Sequence, residues 1–287
     1  MERDLNRKLL HPITEAEKIT YEEDGVVCIR QQFDKEWVDW MYAVCTANDV
    51  TPGGARSVQD DDDDPGLFVA ATNMSRDNSD IMEFAKNSPA AEIAARLMDL
   101  NEVRFFYDQL FVKEPGTLAP TAWHNDLPFW PLDGNQVASV WVALTDTPRE
   151  NSGLVYVGGS HKWNKMYFPE PATARETFIV KQEVEEFEQC PMFHLEFDNP
   201  EYRFLSWDLK AGDCLVHHPL TVHGSGKNAS LSERRVAISL RYYGGDVTWH
   251  GQRTRFQVPG ATDDIFSPGS MPINDKIFPV VWQENSV

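Results

Sequence analysis

At Val103 the chain changes its period, and this change limits the fold more than any other feature. From there to Tyr243, runs rich in β-branched and aromatic residues recur: Val103 to Lys113, Val137 to Thr145, Gly153 to Val157, Asp213 to Val216, and Arg234 to Tyr243. Gly- and Pro-containing clusters separate them, among them PGTLAP, DGN, VGGS and HGSGKN. Successive side chains of a strand point to opposite faces, so each run can bury one face. Many short strands with turn-rich joints close best into a sandwich or barrel. The expected class is mostly β with flanking helices.

The first hundred residues read differently, as largely helical with one early strand. Thr14 to Glu23 is helix-like, Gly25 stops it, and Val26 to Ile29 makes a short buried strand. Phe33 to Cys45 sets Trp37, Met41 and Val44 at helical spacing. Ser88 before Pro89 marks a further helix start that carries Ile93, Leu97 and Leu100 towards a core. The run Asp60 to Asp64 repels itself and reads as a solvated loop, since it lacks the spaced ligands of a calcium loop. One domain over 1–287 is expected: a helical region 1–100, a β core 101–245 with an insertion at about 162–209, and an extension 246–287.

Lys plus Arg total 26 against 45 Asp plus Glu, a formal net charge of −19. A field of that sign repels phosphate backbones and anionic membrane surfaces, so neither nucleic acid nor membrane is an expected partner. None of the four cysteines forms a C-x-x-C pair, which argues against a zinc ribbon or redox motif. The opening residues hold no apolar signal region, and no apolar run reaches the roughly 18 residues of a membrane span. A cytoplasmic protein is the simplest expectation, with the oligomeric state open and a homodimer allowed.

The sharpest local signal is Trp123-His124-Asn125-Asp126. On an extended strand His124 and Asp126 share a face and Asn125 takes the other. An imidazole nitrogen and a carboxylate oxygen on one face are two corners of a metal site, and two His plus one carboxylate form the facial triad of non-haem Fe(II) oxygenases. H-x-D alone is weak and needs a third ligand from a distant strand. The stretch GDCLVHHPLTVHGSGKN offers His217, His218 and His223. A strand ending in His223, beside a glycine turn, can present its imidazole to the same metal. His217 and His218 lie on opposite faces of one strand and read as supporting or core-edge groups. His161 reads as structural.

Four ordered stretches carry a family resemblance: DQLFVKEPGTLAPTAWHNDLPFW from Asp108, VWVALTDTPRENSGLVYVGGSHKW from Val140, GDCLVHHPLTVHGSGKNAS from Gly212, and RRVAISLRYY from Arg234. Together they resemble the phytanoyl-CoA dioxygenase family of Fe(II)/2-oxoglutarate oxygenases, from about Tyr21 to Tyr243. The resemblance implies a double-stranded β-helix, a cupin-like jelly roll. It implies Fe(II), 2-oxoglutarate and O2 as metal and co-substrates, with ascorbate as an optional stimulant. It implies His124, Asp126 and His223 as metal ligands and catalytic centre. Arg234 matches the basic anchor of the distal 2-oxoglutarate carboxylate, Ser225 a hydroxyl assisting there, and Trp141 an aromatic lining that pocket. Gln109 and Lys113 sit in a stretch close to co-substrate or substrate. Asn125 stands where the family often has Gln.

The alternation from Arg234 supports the same anchor. Arg234, Val236, Ile238, Leu240 and Tyr242 are apolar apart from the leading Arg, and this face is expected inside the barrel, with Arg235 turned outwards. Phe129 and Trp130 follow the H-x-D strand and are expected at the substrate mouth or in the core. The net charge and these aromatics point to a neutral or modestly charged small substrate, expected to belong to secondary metabolism.

Two other functions fit part of the pattern. A zinc hydrolase can use the same three ligands but leaves the arginine and Ser225 without a role. A non-catalytic metal- or small-molecule-binding protein needs neither the complete triad nor the anchor. Asp126 argues against halogenation, in which the carboxylate gives way to halide.

Overall fold

The computed structural model describes residues 4–47, 55–59, 67–168, 187–251 and 256–284. The Asp60–Asp64 run lies outside the described residues. Helix α1 (Glu15–Asp24) starts at a capping box in which Thr14 and Glu17 satisfy each other's free amides, and ends at Gly25 with φ 72°. Any Cβ at Gly25 would lie 2.3 Å from His161 Nδ1 and Thr221 Oγ1, so glycine is required there. Helix α2 (Lys35–Thr46) is capped by Asp34, whose carboxylate accepts the Trp37 amide. Helices α3 (Ser79–Asn87) and α4 (Ala90–Leu97) follow, with Ser88 and Pro89 forming the corner between them.

The strands are β1 (Val26–Ile29), β2 (Ala55–Gln59), β3 (Phe68–Thr72), β4 (Glu102–Lys113) and β5 (Thr121–His124). Next come β6 (Leu132–Asp133), β7 (Val137–Ala143), β8 (Leu154–Val157), β9 (Tyr167–Phe168), β10 (Glu188–Gln189) and β11 (Phe204–Leu205). The last five are β12 (Cys214–His217), β13 (His223–Ser225), β14 (Arg235–Tyr243), β15 (Thr248–Trp249) and β16 (Val280–Gln283). The larger sheet runs β1-β12-β7-β14-β4-β3-β2, with β16 also on β4, and the smaller runs β11-β8-β13-β5. The two sheets form the jelly roll. β4, β7, β8, β12 and β14 lie where the sequence pattern puts them, to within two residues at each end.

The N-terminal region departs from expectation. β2 and β3 extend the larger sheet by pairing with each other and with β4. Phe68–Thr72 reads FVAAT, and its two alanines hide a strand that tertiary pairing creates. The expected insertion also ends inside the fold, because Phe204 and Leu205 pair with Val157 and Tyr156 as the edge of the smaller sheet.

The main core lies outside the barrel. Trp37, Met41, Phe84, Ile93 and Leu97 from the helices meet Val140, Val142, Val236, Ile238, Leu240 and Tyr242 from the larger sheet, all buried. A second cluster, in which Phe106, Trp130, Trp249, Phe266 and Phe278 pack together, draws on the C-terminal extension. Because the helical layer takes the apolar face of β14, the polar face turns into the barrel. Arg235, Ser239 and Arg241 are buried at 2%, 0% and 3% exposure.

Candidate metal centre and co-substrate pocket

β5 and β13 are antiparallel neighbours with His124 opposite His223, so backbone pairing alone brings two imidazoles together. Their ring centroids lie 4.4 Å apart. Asp126 is not on the strand as the i, i+2 argument required. It follows the end of β5 at φ −79° and ψ −39°, just before a turn of 3-10 helix. Its amide donates to Pro219 O at 2.8 Å, which ties it to the loop leading into β13. β13 begins at His223, where the sequence reading ended a strand.

The three side chains form a group able to hold a metal ion, with one donor atom from each lying within 4.8 Å of the others. His124 Nδ1 lies 2.7 Å from Ala122 O and His223 Nδ1 2.9 Å from Thr221 O. A carbonyl only accepts, so both Nδ1 atoms carry the proton and both Nε2 lone pairs are free for a metal. Those Nε2 atoms lie 3.4 and 4.0 Å from Asp126 Oδ1. Ligands on one octahedral face with bonds of about 2.1 Å stand about 3 Å apart, so a small contraction closes the site.

The other Asp126 oxygen is already engaged. Ser139 donates its hydroxyl to Oδ2 at 3.1 Å, His217 Nε2 lies at 3.4 Å, and an Arg241 amine at 3.6 Å. Oδ2 is thereby fixed and Oδ1 is left facing the imidazoles. Burial raises the Asp126 carboxyl, but Arg241 and the neighbouring His124, His217 and His223 rings outweigh it and hold it well below the usual carboxylate range. Burial, with His124 and His217 nearby, pushes His223 well down. Burial also lowers His217, against the pull of Asp126. His223 is therefore set as a neutral imidazole and Asp126 as a carboxylate, the forms that bind metal.

Further along β14 the two arginines lie on the opposite faces to those expected, with Arg235 and not Arg234 inside the barrel. Arg234 is 39% exposed at its side chain and pairs in a fork with Glu114, at 3.0 and 3.1 Å. Arg235 is the buried one. It lies over Trp141 at 5.5 Å, reaches Ser152 Oγ at 3.3 Å, and leaves Nε and Nη1 without a partner. Burial alone brings its pKa down to about 9. Among the described residues no carboxylate pairs with it, and a buried guanidinium with orphaned donors is costly unless an anion arrives. Lys113, fully buried, donates to Ser225 Oγ at 3.0 Å and Gly226 O at 2.8 Å. Ser152 lies 3.3 Å from Ser225 and holds φ 65°, a strained conformation for serine. Arg235, Lys113, Ser225, Ser152 and Trp141 thus make a cationic cradle in the barrel.

The remaining expected residues divide. Gln109 lies at the metal end, where Arg241 donates to its Oε1 at 2.9 Å. Phe129 stands edge-on to His124, with centroids 5.9 Å apart. Trp130 is 1% exposed and donates to the Tyr107 hydroxyl at 2.8 Å, so it packs in the core and does not line an open mouth. Asn125 points away from the metal: it donates to Lys165 O and accepts from Tyr167 N, fastening β9. His218 and His161 pack against each other at 5.1 Å, away from the triad. The sequence reading passes over Ser139, Ser152, Arg241 and Tyr156, whose hydroxyl lies 3.1 Å from His217 Nδ1. The available signal is the shared parity of Arg235, Ser239 and Arg241, a set expected to face outwards or towards a covering segment.

A jelly roll with a His-Asp-His facial group and a buried arginine along the same barrel is the architecture of the 2-oxoglutarate oxygenase class. Residues 21–236 match the sequence model of the phytanoyl-CoA dioxygenase (PhyH) family, and the chain belongs to that family. Rat peroxisomal phytanoyl-CoA dioxygenase is 27% identical over 128 residues, 44% of this chain and 34% of that protein. A probable alpha-ketoglutarate-dependent hypophosphite dioxygenase of Stutzerimonas stutzeri is 28% identical over 130 residues, 44% of this chain and 40% of that protein. The matched part thus spans well under half of either relative. Among solved structures, the non-haem alpha-ketoglutarate-dependent epimerase SnoN of nogalamycin biosynthesis superposes with a TM-score of 0.71 at 23% identity, covering 95% of this chain and 97% of that one. The carbocyclase SnoK of the same biosynthesis gives 0.69 at 24%, covering 96% and 99%. Among the described residues no helix is long and apolar enough to cross a membrane.

Proposed function

We propose that the protein is a non-haem Fe(II), 2-oxoglutarate-dependent oxygenase acting on a small organic substrate. One observation carries this reading: a three-ligand facial site and a buried guanidinium without a counterion share one barrel. A divalent metal satisfies the first, and a short dicarboxylate reaching from it satisfies the second. His124, Asp126 and His223 would hold the iron. Arg235, with Lys113 and Ser225 beside it, would hold the distal carboxylate of 2-oxoglutarate over Trp141. Bound iron and 2-oxoglutarate supply dioxygen activation, with decarboxylation to succinate and CO2 as the substrate is oxidised. The chain itself keeps both imidazoles in the metal-binding tautomer and fixes the carboxylate by its outer oxygen. A zinc hydrolase leaves Arg235 without a partner.

Hydroxylation, desaturation, epoxidation and ring formation all suit a complete triad. A place in secondary metabolism draws support from SnoK and SnoN, whose names place them in nogalamycin biosynthesis. The test is oxygen-dependent succinate formation from 2-oxoglutarate by the Fe(II)-loaded protein, with and without a panel of candidate substrates. Wild type should form succinate, and Asp126→Ala and His223→Ala should fall to background. Metal-dependent ester or amide hydrolysis without oxygen uptake would sink the reading.

A further inference from the structure

Six residues along β14 from Arg235, a second guanidinium enters the barrel. Arg241 is 3% exposed, and its partners are Gln109 Oε1 at 2.9 Å and Asp126 Oδ2 at 3.6 Å. Its Nε and Nη1 are buried with no partner. Aromatic rings flank it, Tyr107 at 4.5 Å and Trp130 at 5.9 Å, and Phe256 lies 4.6 Å from Tyr107. Among the described residues, the titratable groups that feel its charge are Asp126, His217, Tyr107 and Tyr156.

Without metal, Asp126 serves as the counterion of Arg241. Were a divalent cation held at Oδ1, that carboxylate's charge would be largely taken up, and Arg241 would keep a weakened counterion and two buried N–H groups unsatisfied among the described residues. A buried guanidinium in that state is costly unless another anion approaches. The co-substrate does not meet this need, since its free end lies at Arg235 and its other end at the metal. Resting on the oxygenase reading above, we propose that Arg241, steadied by Gln109, binds a carboxylate or comparable oxyanion of the organic substrate beside the metal. The substrate class is then an acid with a flat apolar body, matched to the Tyr107 and Phe256 rings. The chain-wide negative charge pointed to a neutral substrate, but the charge within this pocket is of the opposite sign.

The test uses full-length protein loaded with Co(II) and saturated with 2-oxoglutarate, so that no turnover occurs and Arg235 is already occupied. Benzoate and 1-naphthoate are titrated calorimetrically against benzamide and 1-naphthamide. At least one acid should bind ten-fold or more tightly than its amide, and Arg241→Gln should erase that preference while Arg241→Lys keeps part of it. Co(II) affinity should change less than the acid preference in both variants. Equal binding of acid and amide by wild type, binding of neither, or a preference that survives Arg241→Gln would overturn the proposal. The wild-type comparison decides even where Arg241→Gln fails to fold, and Gln109→Leu, which removes the guanidinium's steadying acceptor, should weaken the preference. Failure of wild type to bind Co(II) and 2-oxoglutarate at all would instead remove the oxygenase reading.

Discussion

Arg234 and Arg235 are adjacent, equally charged, and opposite in fate. Arg234 meets Glu114 at the surface, whereas Arg235 enters the barrel with two donors unsatisfied. Loss of an exposed ion pair costs about 1 kcal/mol or less, but loss of a charge-assisted hydrogen bond to a bound anion costs about 1.5–3 kcal/mol. Arg235→Gln should therefore weaken 2-oxoglutarate binding by roughly ten- to a hundred-fold, while Arg234→Gln should leave it within about two-fold. Titration of the Co(II)-loaded variants with 2-oxoglutarate measures both, and a larger effect at Arg234 would reverse the assignment. Asn125 makes a second residue-scale case. Its side chain holds Lys165 O, Leu220 O and Tyr167 N and, among the described residues, makes no hydrogen bond to a metal-ligand side chain. Asn125→Ala should cost about 1–3 kcal/mol in urea unfolding through the backbone groups it leaves unpaired, with metal affinity nearly unchanged. A large loss of metal affinity at unchanged stability would show that Asn125 acts on the centre.

At the scale of elements, β14 explains why the arginine was misread from sequence. Strand parity divides its residues correctly into two sets, but parity does not say which set faces the barrel. The apolar set was assigned to the interior by the ordinary logic of hydrophobic burial. In this fold the large sheet has two buried faces, and the more apolar one lies under the helices. Val236, Ile238, Leu240 and Tyr242 pack there, and the polar set lines the pocket. Ile238→Ala should then act on stability alone. A fully buried isoleucine truncated to alanine costs about 2–5 kcal/mol. Its unfolding midpoint should fall accordingly, with 2-oxoglutarate affinity unaltered in the variant that remains folded. A selective loss of co-substrate binding would put Ile238 in the pocket.

For the whole molecule, the acid limit of stability follows from its buried histidines. Burial, with His161 and His217 nearby, brings His218 down to about 3. Above pH 6.5 it is neutral in folded and unfolded chains alike and contributes nothing. As the pH falls below 6.5, the unfolded chain takes up a proton that the folded chain refuses until about pH 3, and stability drops by about 1.4 kcal/mol per pH unit in that window. His217 and His223, lowered in the same direction, add to the loss. The metal-free protein should melt lower at pH 5.5 than at pH 7.5, and His218→Gln should narrow that difference. An unchanged difference in His218→Gln would show that His218 does not carry this limit.

Local chemistry made some features readable from the chain. Turn residues mark where strands end, the capping box and Gly25 bound α1, and the HxD group with a distal His names the metal donors. Those signals are short in sequence, and their physical causes act within a few residues. What only the tertiary structure decided depends on neighbours far along the chain. β2 and β3 exist because β4 offers them an edge. Asp126 reaches the metal position through Pro219 despite leaving its strand. Which side of β14 turns into the barrel was set by the helices, which give its apolar residues apolar partners. That packing placed Arg235 and Arg241 inside the barrel.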